Sequence, residues 1–273
     1  MNTRSKFSFL VAPLAVIAAL APSGAQAAEE FDETKAIVEI NASDGDIGFH
    51  AKYDADAWRF VKMRDPNNRL LLMEKASGPL AAQGLTENFF ESAEPLCWDD
   101  GSGELIVTLE QFLQRFPAGD YDLYGWKNDV DFLFGTAELS HLLPAAPDIS
   151  ATDEMTLPRD GDDGEIIIRW AGGDDLGECT PDSWDMLPEA PGDVEVVAWE
   201  VVIEPDCDDV EFEPERTFTA QLPPETTQVT VSPEMIESYL DAGCAELKFE
   251  VGAIEETGNQ TFSEGGFEVE EDD

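Results

Sequence analysis

The sequence has few basic residues: 15 lysines and arginines stand against 60 aspartates and glutamates, which gives a formal net charge of −45. Binding to nucleic acid or to an anionic lipid surface needs clustered positive charge, so this composition argues against both kinds of partner. It favours cations and basic partners instead. A solvated surface adapted to a salty or calcium-containing medium has the same composition, and the sequence leaves that alternative open.

The chain also has little of the chemistry that enzymes use. It contains two histidines, His50 and His141, and each lies beside or within a strand pattern. No G-x-S-x-G motif offers a nucleophile, and no glycine-rich phosphate loop follows a strand. Pairs of acidic residues are expected by chance among 60 of them. The sequence therefore predicts that the protein is not an enzyme and needs no cofactor, with calcium as the one candidate.

The one long apolar run in the sequence lies at the N-terminus. Residues 1–27 combine Arg4 and Lys6 with an apolar stretch at 7–21 and a small-x-small cleavage signature at 25–27. This pattern is typical of a secretory signal peptide, and the run is shorter than the roughly 20 residues that span a bilayer. We therefore expect an exported protein, periplasmic or extracellular, without membrane insertion. Cleavage removes two basic and no acidic residues, which changes the charge from −45 to −47.

Cysteine is also scarce, and the chain contains Cys97, Cys179, Cys207 and Cys244. An even number of cysteines in an exported protein favours two disulfides over reactive thiols. The spacings include no C-x-x-C, and with two histidines in the chain a zinc site of the usual composition is not predicted. Four cysteines allow three pairings, and spacing alone does not choose among them.

Alternating apolar residues predict a mainly antiparallel β domain over residues 36–145, preceded by a polar leader at 28–35. Turn-forming residues separate the strand patterns. The patterns indicate strands at 36–40 and 47–53 and hairpins across 58–74 and 121–134.

One helix in this domain has clear start and stop signals. Thr108 is in the N-cap position, Gln111 completes a capping box, and Pro117 blocks continuation. The helix carries an apolar stripe made of Leu109, Phe112, Leu113 and Phe116. A second, weaker helical pattern occurs near residues 87–92.

Three prolines within residues 142–158 indicate a domain boundary. Beyond it, residues 146–270 show short strand patterns at the spacing of a β-sandwich, followed by an acidic tail at 271–273. Ser232 and Pro233 are typical of a helix start inside this domain. The predicted fold class is all-β, with two β-sandwich-like domains of which the first carries a short helix.

Residues 148–270 resemble a fibronectin type III domain, an Ig-like sandwich. The resemblance rests on "IIIRW" at 166–170, "VVAWEVVIE" at 196–204 and "LKFEVGAIEETGNQT" at 247–261. The whole chain is similar to a group of secreted bacterial proteins that join an uncharacterised β domain to one such module. This resemblance implies a location in the cell envelope or outside the cell, and it implies no activity.

The resemblance also implies a disulfide pattern. In such a sandwich Cys207 and Cys244 lie at one end, while Cys179 lies in a long loop at the opposite end. The first domain abuts that end, so Cys97 is within reach of Cys179. The implied pairs are Cys207–Cys244 and Cys97–Cys179.

Two acidic turns are candidate calcium sites. Asp44 and Asp46 flank a glycine, and hard cations prefer several oxygen ligands on such a tight loop. The acidic turn at 160–165 is a similar candidate. Ordinary turns between strands are the alternative for both.

Aromatic residues provide a candidate ligand surface. Tyr124 and Trp126 alternate with Tyr121 and Leu123, so they belong to the opposite face of the same strand. Exposed aromatic rings stack on sugars or anchor protein partners. Coverage of both faces of the strand is the alternative.

The sequence thus predicts an exported binding or structural module whose protein or glycan partner it does not identify. A carbohydrate-active exported enzyme, or an accessory to one, is the first alternative, and a calcium-stiffened adhesion element is the second. An enzyme is expected to show a deep polar cleft with convergent histidines or carboxylates within residues 36–142.

Overall fold

The structure of the protein is a computed structural model that describes residues 29–99, 101, 103, 105–128, 131–151, 155–157, 166–207 and 216–269. The predicted signal peptide, the acidic turn at 160–165 and the acidic tail lie outside the described residues, and those predictions stay untested. No helix among the described residues is long and apolar enough to cross a membrane.

The first half of the described chain is rich in strands. In order it contains β1 (Glu29–Glu30), β2 (Glu33–Asn41), β3 (Asp46–Trp58), β4 (Phe60–Arg64), β5 (Leu70–Lys75), α1 (Pro79–Gln83), β6 (Leu85–Glu91), α2 (Leu109–Arg115), β7 (Gly119–Trp126) and β8 (Phe132–Leu139).

The second half continues with short strands, one helix and two 3₁₀ turns at Gly177–Cys179 and Pro191–Asp193. Its elements are β9 (Met155–Leu157), β10 (Ile166–Arg169), β11 (Ala198–Pro205), β12 (Phe218–Leu222), β13 (Gln228–Val231), α3 (Pro233–Leu240), β14 (Glu246–Ile254) and β15 (Gln260–Val269).

These strands form three sheets. The five-stranded sheet has the order β1-β8-β7-β4-β5, and β10 and β13 form a two-stranded sheet. The eight-stranded sheet has the order β12-β11-β14-β15-β2-β3-β6, with β9 paired to β15. The smaller sheets cover one face of the largest, so the predicted all-β, sandwich-like fold class is confirmed.

Two apolar cores lie under this large sheet. In the first, β2 and β3 pack against β4, β7, β8 and α2, with Trp58, Tyr53, Tyr121 and Phe112 among its largest buried side chains. In the second, β11 and β14 pack against β10, β13 and α3. Alternation along each strand places one set of side chains in a core and leaves the other set on the outer face of its sheet.

The two halves of the molecule are joined by hydrogen bonds. Strand β15 pairs in parallel with β2, from Gln260 opposite Glu39 to Phe262 opposite Asn41. The fully buried Asn259 side chain accepts from the Val38 backbone at 2.8 Å and donates to the Leu142 carbonyl at 3.0 Å. The eight-stranded sheet therefore continues across both halves, while the domain division at residues 145/146 remains a prediction.

The structure joins Cys97 to Cys179 and Cys207 to Cys244, with Cα–Cα distances of 5.2 and 5.7 Å. These are the same pairs that the fibronectin type III resemblance implies. The first bond closes a separation of 82 residues and ties the chain before α2 to the first 3₁₀ turn. The second links the chain after β11 to the chain before β14.

Both predicted helix starts are confirmed. The Thr108 hydroxyl accepts from the Gln111 backbone at the start of α2, and the Ser232 hydroxyl accepts from the Met235 backbone at the start of α3, each at 3.3 Å. These caps satisfy backbone N–H groups that have no partner within the first turn of a helix.

The weak helix predicted near residues 87–92 is wrong. Residues 87–91 belong to β6, which pairs with β3 from His50 opposite Glu91 to Asp54 opposite Glu87. Phe90 packs against the first core. Tertiary pairing therefore overrides the local helical preference of this segment.

Strand structure begins within residues 28–35, the segment that the sequence predicts as a polar leader. Glu29 and Glu30 form β1, and β2 already begins at Glu33. Between them Phe31 is only 8% exposed, with its ring centroid 6.0 Å from that of Tyr53. One aromatic residue anchors a segment whose composition is otherwise polar.

Candidate functional site

The outer face of the five-stranded sheet carries a cluster of aromatic side chains. In β7 Tyr121 and Leu123 are fully buried, while Tyr124 and Trp126 lie on the opposite side and are partly exposed. We use the name aromatic face for the residues on this outer surface: Phe60, Lys62, Met73, Lys75, Tyr124, Trp126, Phe132 and Phe134.

These side chains form two rows across three neighbouring strands. Phe60, Trp126 and Phe132 are cross-strand neighbours, with ring centroids 5.0 and 6.0 Å apart. Tyr124 and Phe134 lie in the second row at 5.5 Å. Phe132 is 46% exposed and Phe134 is 39% exposed, so this surface presents apolar rings to solvent.

Positive charge accompanies the rings. The Lys62 ammonium lies 5.2 Å from the centroid of the Phe60 ring and 5.5 Å from that of Trp126, which are cation–π distances. Lys75 is the cross-strand neighbour of Phe60. At the edge of the sheet β5 exposes Met73 to 53%. The aromatic face therefore combines apolar area with basic side chains in an acidic protein.

The structure places Tyr124 and Trp126 on the face that the sequence predicted for them, and their role as ligand contacts stays a prediction. The sequence interpretation missed Phe60, Phe132 and Phe134. Phe132 and Phe134 flank the buried Leu133, and that alternation is the available signal. Their assembly into rows depends on strand order and register, which the sequence does not state.

The outer face of the eight-stranded sheet has a different composition. The side chains that point away from both cores include Glu39, Asp46, His50, Glu200, Glu204, Lys248, Glu250 and Glu264, and we call this surface the acidic face. The Lys248 ammonium lies 2.7 Å from Glu264 and 3.0 Å from Glu250. Burial opposes the charge on Lys248, but its hydrogen bonds to these carboxylates outweigh burial and raise its pKa.

His50 lies between two carboxylates on the acidic face. Its side chain is 2% exposed, its Nε2 atom lies 2.9 Å from Glu94 Oε1, and its Nδ1 atom lies 3.5 Å from Glu39 Oε2. Burial alone would lower the pKa of the imidazole, but the hydrogen bond to Glu94 and the charge of Glu39 outweigh it and raise the pKa. Burial raises the pKa of Glu39, whose carboxylate also accepts a hydrogen bond from Gln260. The sequence interpretation took His50 for a surface or packing residue.

The calcium candidates Asp44 and Asp46 lie at the β2–β3 turn beside this cluster. Asp44 Oδ2 accepts from the Asn41 side chain at 3.2 Å. Burial and the charges of Glu94 and Asp44 raise the pKa of Asp46 to about 6. A cation or a proton would relieve this repulsion, and the calcium role of the two aspartates stays a prediction.

A cleft of about 520 Å³ lies at the junction of the two halves. Its lining comes from Ala42, Ser43, Ala146, Pro147, Asp148, Gly172, Gly173, Asp174, Asp175, Gly177 and Ser263. The enzyme alternative predicted a cleft with convergent histidines or carboxylates inside residues 36–142. Most of this lining lies outside that range, and neither histidine belongs to it. His141 is held instead by the Phe116 carbonyl, 2.8 Å from its Nε2 atom.

Comparison with known proteins identifies no family. No protein-family model matches the sequence, and no curated protein sequence is significantly similar to it. Among solved structures, the fibronectin(III)-like modules of Clostridium thermocellum CbhA match with 8% identity and a TM-score of 0.31, over 88% of this chain and 93% of theirs.

Two bacterial adhesins also match. A 1.5-MDa bacterial ice-binding adhesin shows 12% identity and a TM-score of 0.22, over 89% of this chain and 66% of that one. A Ca²⁺-stabilized adhesin of an Antarctic bacterium that binds ice shows 11% identity and a TM-score of 0.26, over 86% of this chain and 49% of that one. At these TM-scores the likeness carries no argument about function.

Proposed function

We propose that the protein is an exported, non-enzymatic binding module whose aromatic face binds a partner protein with an apolar centre and an acidic rim. The observation that carries the proposal is the pair of cross-strand aromatic rows exposed on the five-stranded sheet. The fibronectin type III-like half, residues 146–270, acts as a support that holds this face outward.

The exposed apolar area supports a binding role. Contiguous apolar patches on a soluble protein mark interaction sites, and tryptophan and tyrosine are enriched among the residues that dominate binding energy. Trp126 lies at the centre of the first row, between Phe60 and Phe132. A partner that covers the rows removes these rings from water.

The ring geometry favours a protein over a glycan. A polysaccharide that stacks on several rings at once needs them to be roughly coplanar. The ring planes of Phe60 and Trp126 meet at 52°, and those of Trp126 and Phe132 meet at 74°. Apolar side chains of a protein fit between tilted rings, as they do in a core.

Charge complementarity defines the rim of the partner. Lys62 and Lys75 lie among the rings, while the chain as a whole carries a net charge of −45. An acidic rim would pair with these two lysines and align the partner on this face. Because such rim pairs are solvent-exposed, binding should weaken at high salt.

An oxidising compartment fits the covalent structure. Both cysteine pairs are joined, and no free cysteine occurs among the described residues. Disulfides persist outside the cytoplasm, which agrees with the predicted signal peptide. We therefore assign the protein to the periplasm or the extracellular medium.

The test measures how wild-type protein and its variants bind the exported proteins of the host cell. Wild-type protein, the double variant Trp126→Ala/Phe132→Ala and the acidic-face control Glu200→Gln are immobilised, and captured proteins are identified, purified and measured for affinity. We expect an acidic partner that binds wild type and the control equally and the double variant at least ~10-fold more weakly.

Three results would overturn the proposal. The first is equal affinity of the partner for wild type and the double variant. The second is ring-dependent binding of a polysaccharide in a glycan array, which would make the aromatic face a glycan site. The third is ring-dependent self-association in light scattering, which would make a second copy of this chain the partner.

A further inference from the structure

We infer that His50 and Glu39, oriented by Glu94, form a binding site for a divalent transition-metal ion such as Zn²⁺. The donor atoms of the three residues all lie within 4.8 Å of one another on the acidic face. This site is separate from the aromatic face and does not depend on the proposed function.

The distances assign a role to each carboxylate. Two ligands on one tetrahedral zinc ion, each about 2.1 Å from it, are about 3.4 Å apart. The 3.5 Å separation of His50 Nδ1 from Glu39 Oε2 is close to that spacing, and the 2.9 Å contact of Nε2 with Glu94 is a hydrogen-bond distance. Glu39 and Nδ1 therefore bind the ion, while Glu94 accepts from Nε2–H and positions the ring.

The donor set selects the class of ion. Calcium and magnesium prefer oxygen ligands, whereas an imidazole nitrogen together with a carboxylate suits zinc and related ions. The imidazole of His50 is 2% exposed, so it is already held in place before an ion arrives. Water molecules complete the coordination shell on the side that faces solvent.

A glycine makes room for the cluster. A Cβ atom on Gly48 would lie 2.4 Å from Glu94 Oε1 and 2.8 Å from His50 Nε2, closer than real contacts allow. The absence of a side chain at this position lets the Glu94 carboxylate reach the imidazole across β3. The ring of Phe89 lies edge-on to His50, with centroids 5.9 Å apart.

The charges at this site favour a dication. Glu39 from β2, Glu91 from β6 and Glu94 beyond β6 surround His50, so carboxylates outnumber basic groups at the site. A metal ion binds the neutral imidazole, so zinc and a proton compete for His50. Gln260 of β15 bonds Glu39, which places the site across the β15–β2 contact. Zinc should therefore also stabilise the fold.

The first experiment is calorimetric titration of the metal-stripped protein with ZnCl₂ at pH 8 and pH 6, with excess MgCl₂ and CaCl₂ as competitors. We expect one equivalent of zinc to bind at pH 8, weaker binding at pH 6, and no displacement by either competitor. Absence of stoichiometric binding, or displacement by calcium, would overturn the inference.

Variants then assign the residues. His50→Gln and the isosteric Glu39→Gln should each weaken zinc binding at least ~10-fold. The matched control is His141→Gln, which removes the other histidine and should bind zinc within about threefold of wild type. Circular dichroism in EDTA verifies that each variant is folded. Equal binding by His50→Gln and His141→Gln would refute the assignment.

Glu94 is tested by a conservative and a truncating variant. Because Glu94 accepts from Nε2–H and positions the imidazole, Glu94→Gln, which keeps an acceptor oxygen, should retain most of the zinc affinity. Glu94→Ala, which removes the acceptor, should weaken zinc binding at least ~10-fold. Unchanged affinity of Glu94→Ala would remove Glu94 from the site.

Discussion

The aromatic face and the acidic face are both outer surfaces of sheets whose inner sides are packed into a core. On the aromatic face, neighbouring strands place rings beside rings, as in Trp126 between Phe60 and Phe132. On the acidic face, neighbouring strands place carboxylates around single basic side chains such as Lys248 and His50. The alternation of side chains is the same in both sheets, and only the residues at the outward positions differ.

The two faces differ in the unfavourable interaction that a bound molecule would remove. Exposed rings on the aromatic face leave apolar area in water, which another macromolecule can cover. On the acidic face, burial and neighbouring carboxylates raise the pKa values of Asp46 and Glu39, and a proton or a metal ion can relieve this effect. The proposed protein partner would cover the first face, and the proposed metal ion would bind the second.

The largest contrast is expected within strand β7, which has one side in the core and one on the aromatic face. Tyr121→Ala should reduce the free energy of unfolding by about 3–5 kcal/mol, because the ring is fully buried. Trp126→Ala, on the exposed side, should cost about 1 kcal/mol. Urea unfolding of both variants measures the difference. Equal losses would show that the aromatic face is part of the core.

The second largest loss of stability is expected at Asn259, whose hydrogen bonds connect the eight-stranded sheet to the chain that follows β8 of the five-stranded sheet. Asn259→Ala should reduce the free energy of unfolding by about 3 kcal/mol, because it removes the buried partners of the Val38 N–H and the Leu142 carbonyl. Asn67, exposed in the β4–β5 turn, is the matched control, and its alanine variant should change stability by less than about 0.5 kcal/mol. A loss below about 1 kcal/mol for Asn259→Ala would contradict this role.

The turn between β4 and β5, in the five-stranded sheet, contains Asp65. Its pKa is shifted in the opposite direction from the pKa of Asp46 on the acidic face. Burial alone would raise the pKa of Asp65, but hydrogen bonds from the Arg69 backbone and guanidinium outweigh it and lower the pKa. A lowered folded pKa stabilises the fold above pH ~3.9, and this stability is lost as pH falls through the folded value. Asp65→Asn should thus destabilise the protein at pH 7 by about 1–2 kcal/mol, with a smaller effect in acid.

Replacement of an aspartate by asparagine on the acidic face should change the free energy of unfolding in the opposite direction. The folded pKa of Asp46 is raised to about 6, so the fold gains stability as pH falls through 6 and loses it as pH rises. Asp46→Asn should stabilise the protein at pH 8 by about 1 kcal/mol, after allowance for solvent screening, and the gain should vanish near pH 4. Thermal unfolding at both pH values measures it, and destabilisation at pH 8 would contradict the repulsion described here.

The smallest expected effect is that of calcium on stability. At matched ionic strength, millimolar calcium and magnesium should raise the melting temperature equally and by less than about 4 °C, because a net charge of −45 attracts both divalent ions without selecting between them. A rise selective for calcium would make Asp44 and Asp46 ligands and would support a calcium-stiffened adhesion element.

Local signals in the sequence predicted much of this fold. The capping residues Thr108 and Ser232 located the starts of α2 and α3, because a cap acts within four residues. Alternation likewise separated Tyr121 and Leu123 from Tyr124 and Trp126. The same local logic failed at residues 87–92, where pairing with a distant strand determines the structure.

The sequence by itself determined the all-β class, the starts of α2 and α3, and the side of a strand on which a residue lies, since these depend on a period of two or on contacts within one turn. The tertiary structure alone decided that β15 pairs with β2, that Glu94 reaches His50 across 44 residues, and that Phe60, Trp126 and Phe132 form one row. Strand order and register are set by burial of whole faces between distant segments, and a local pattern carries no information about which strand will be the neighbour.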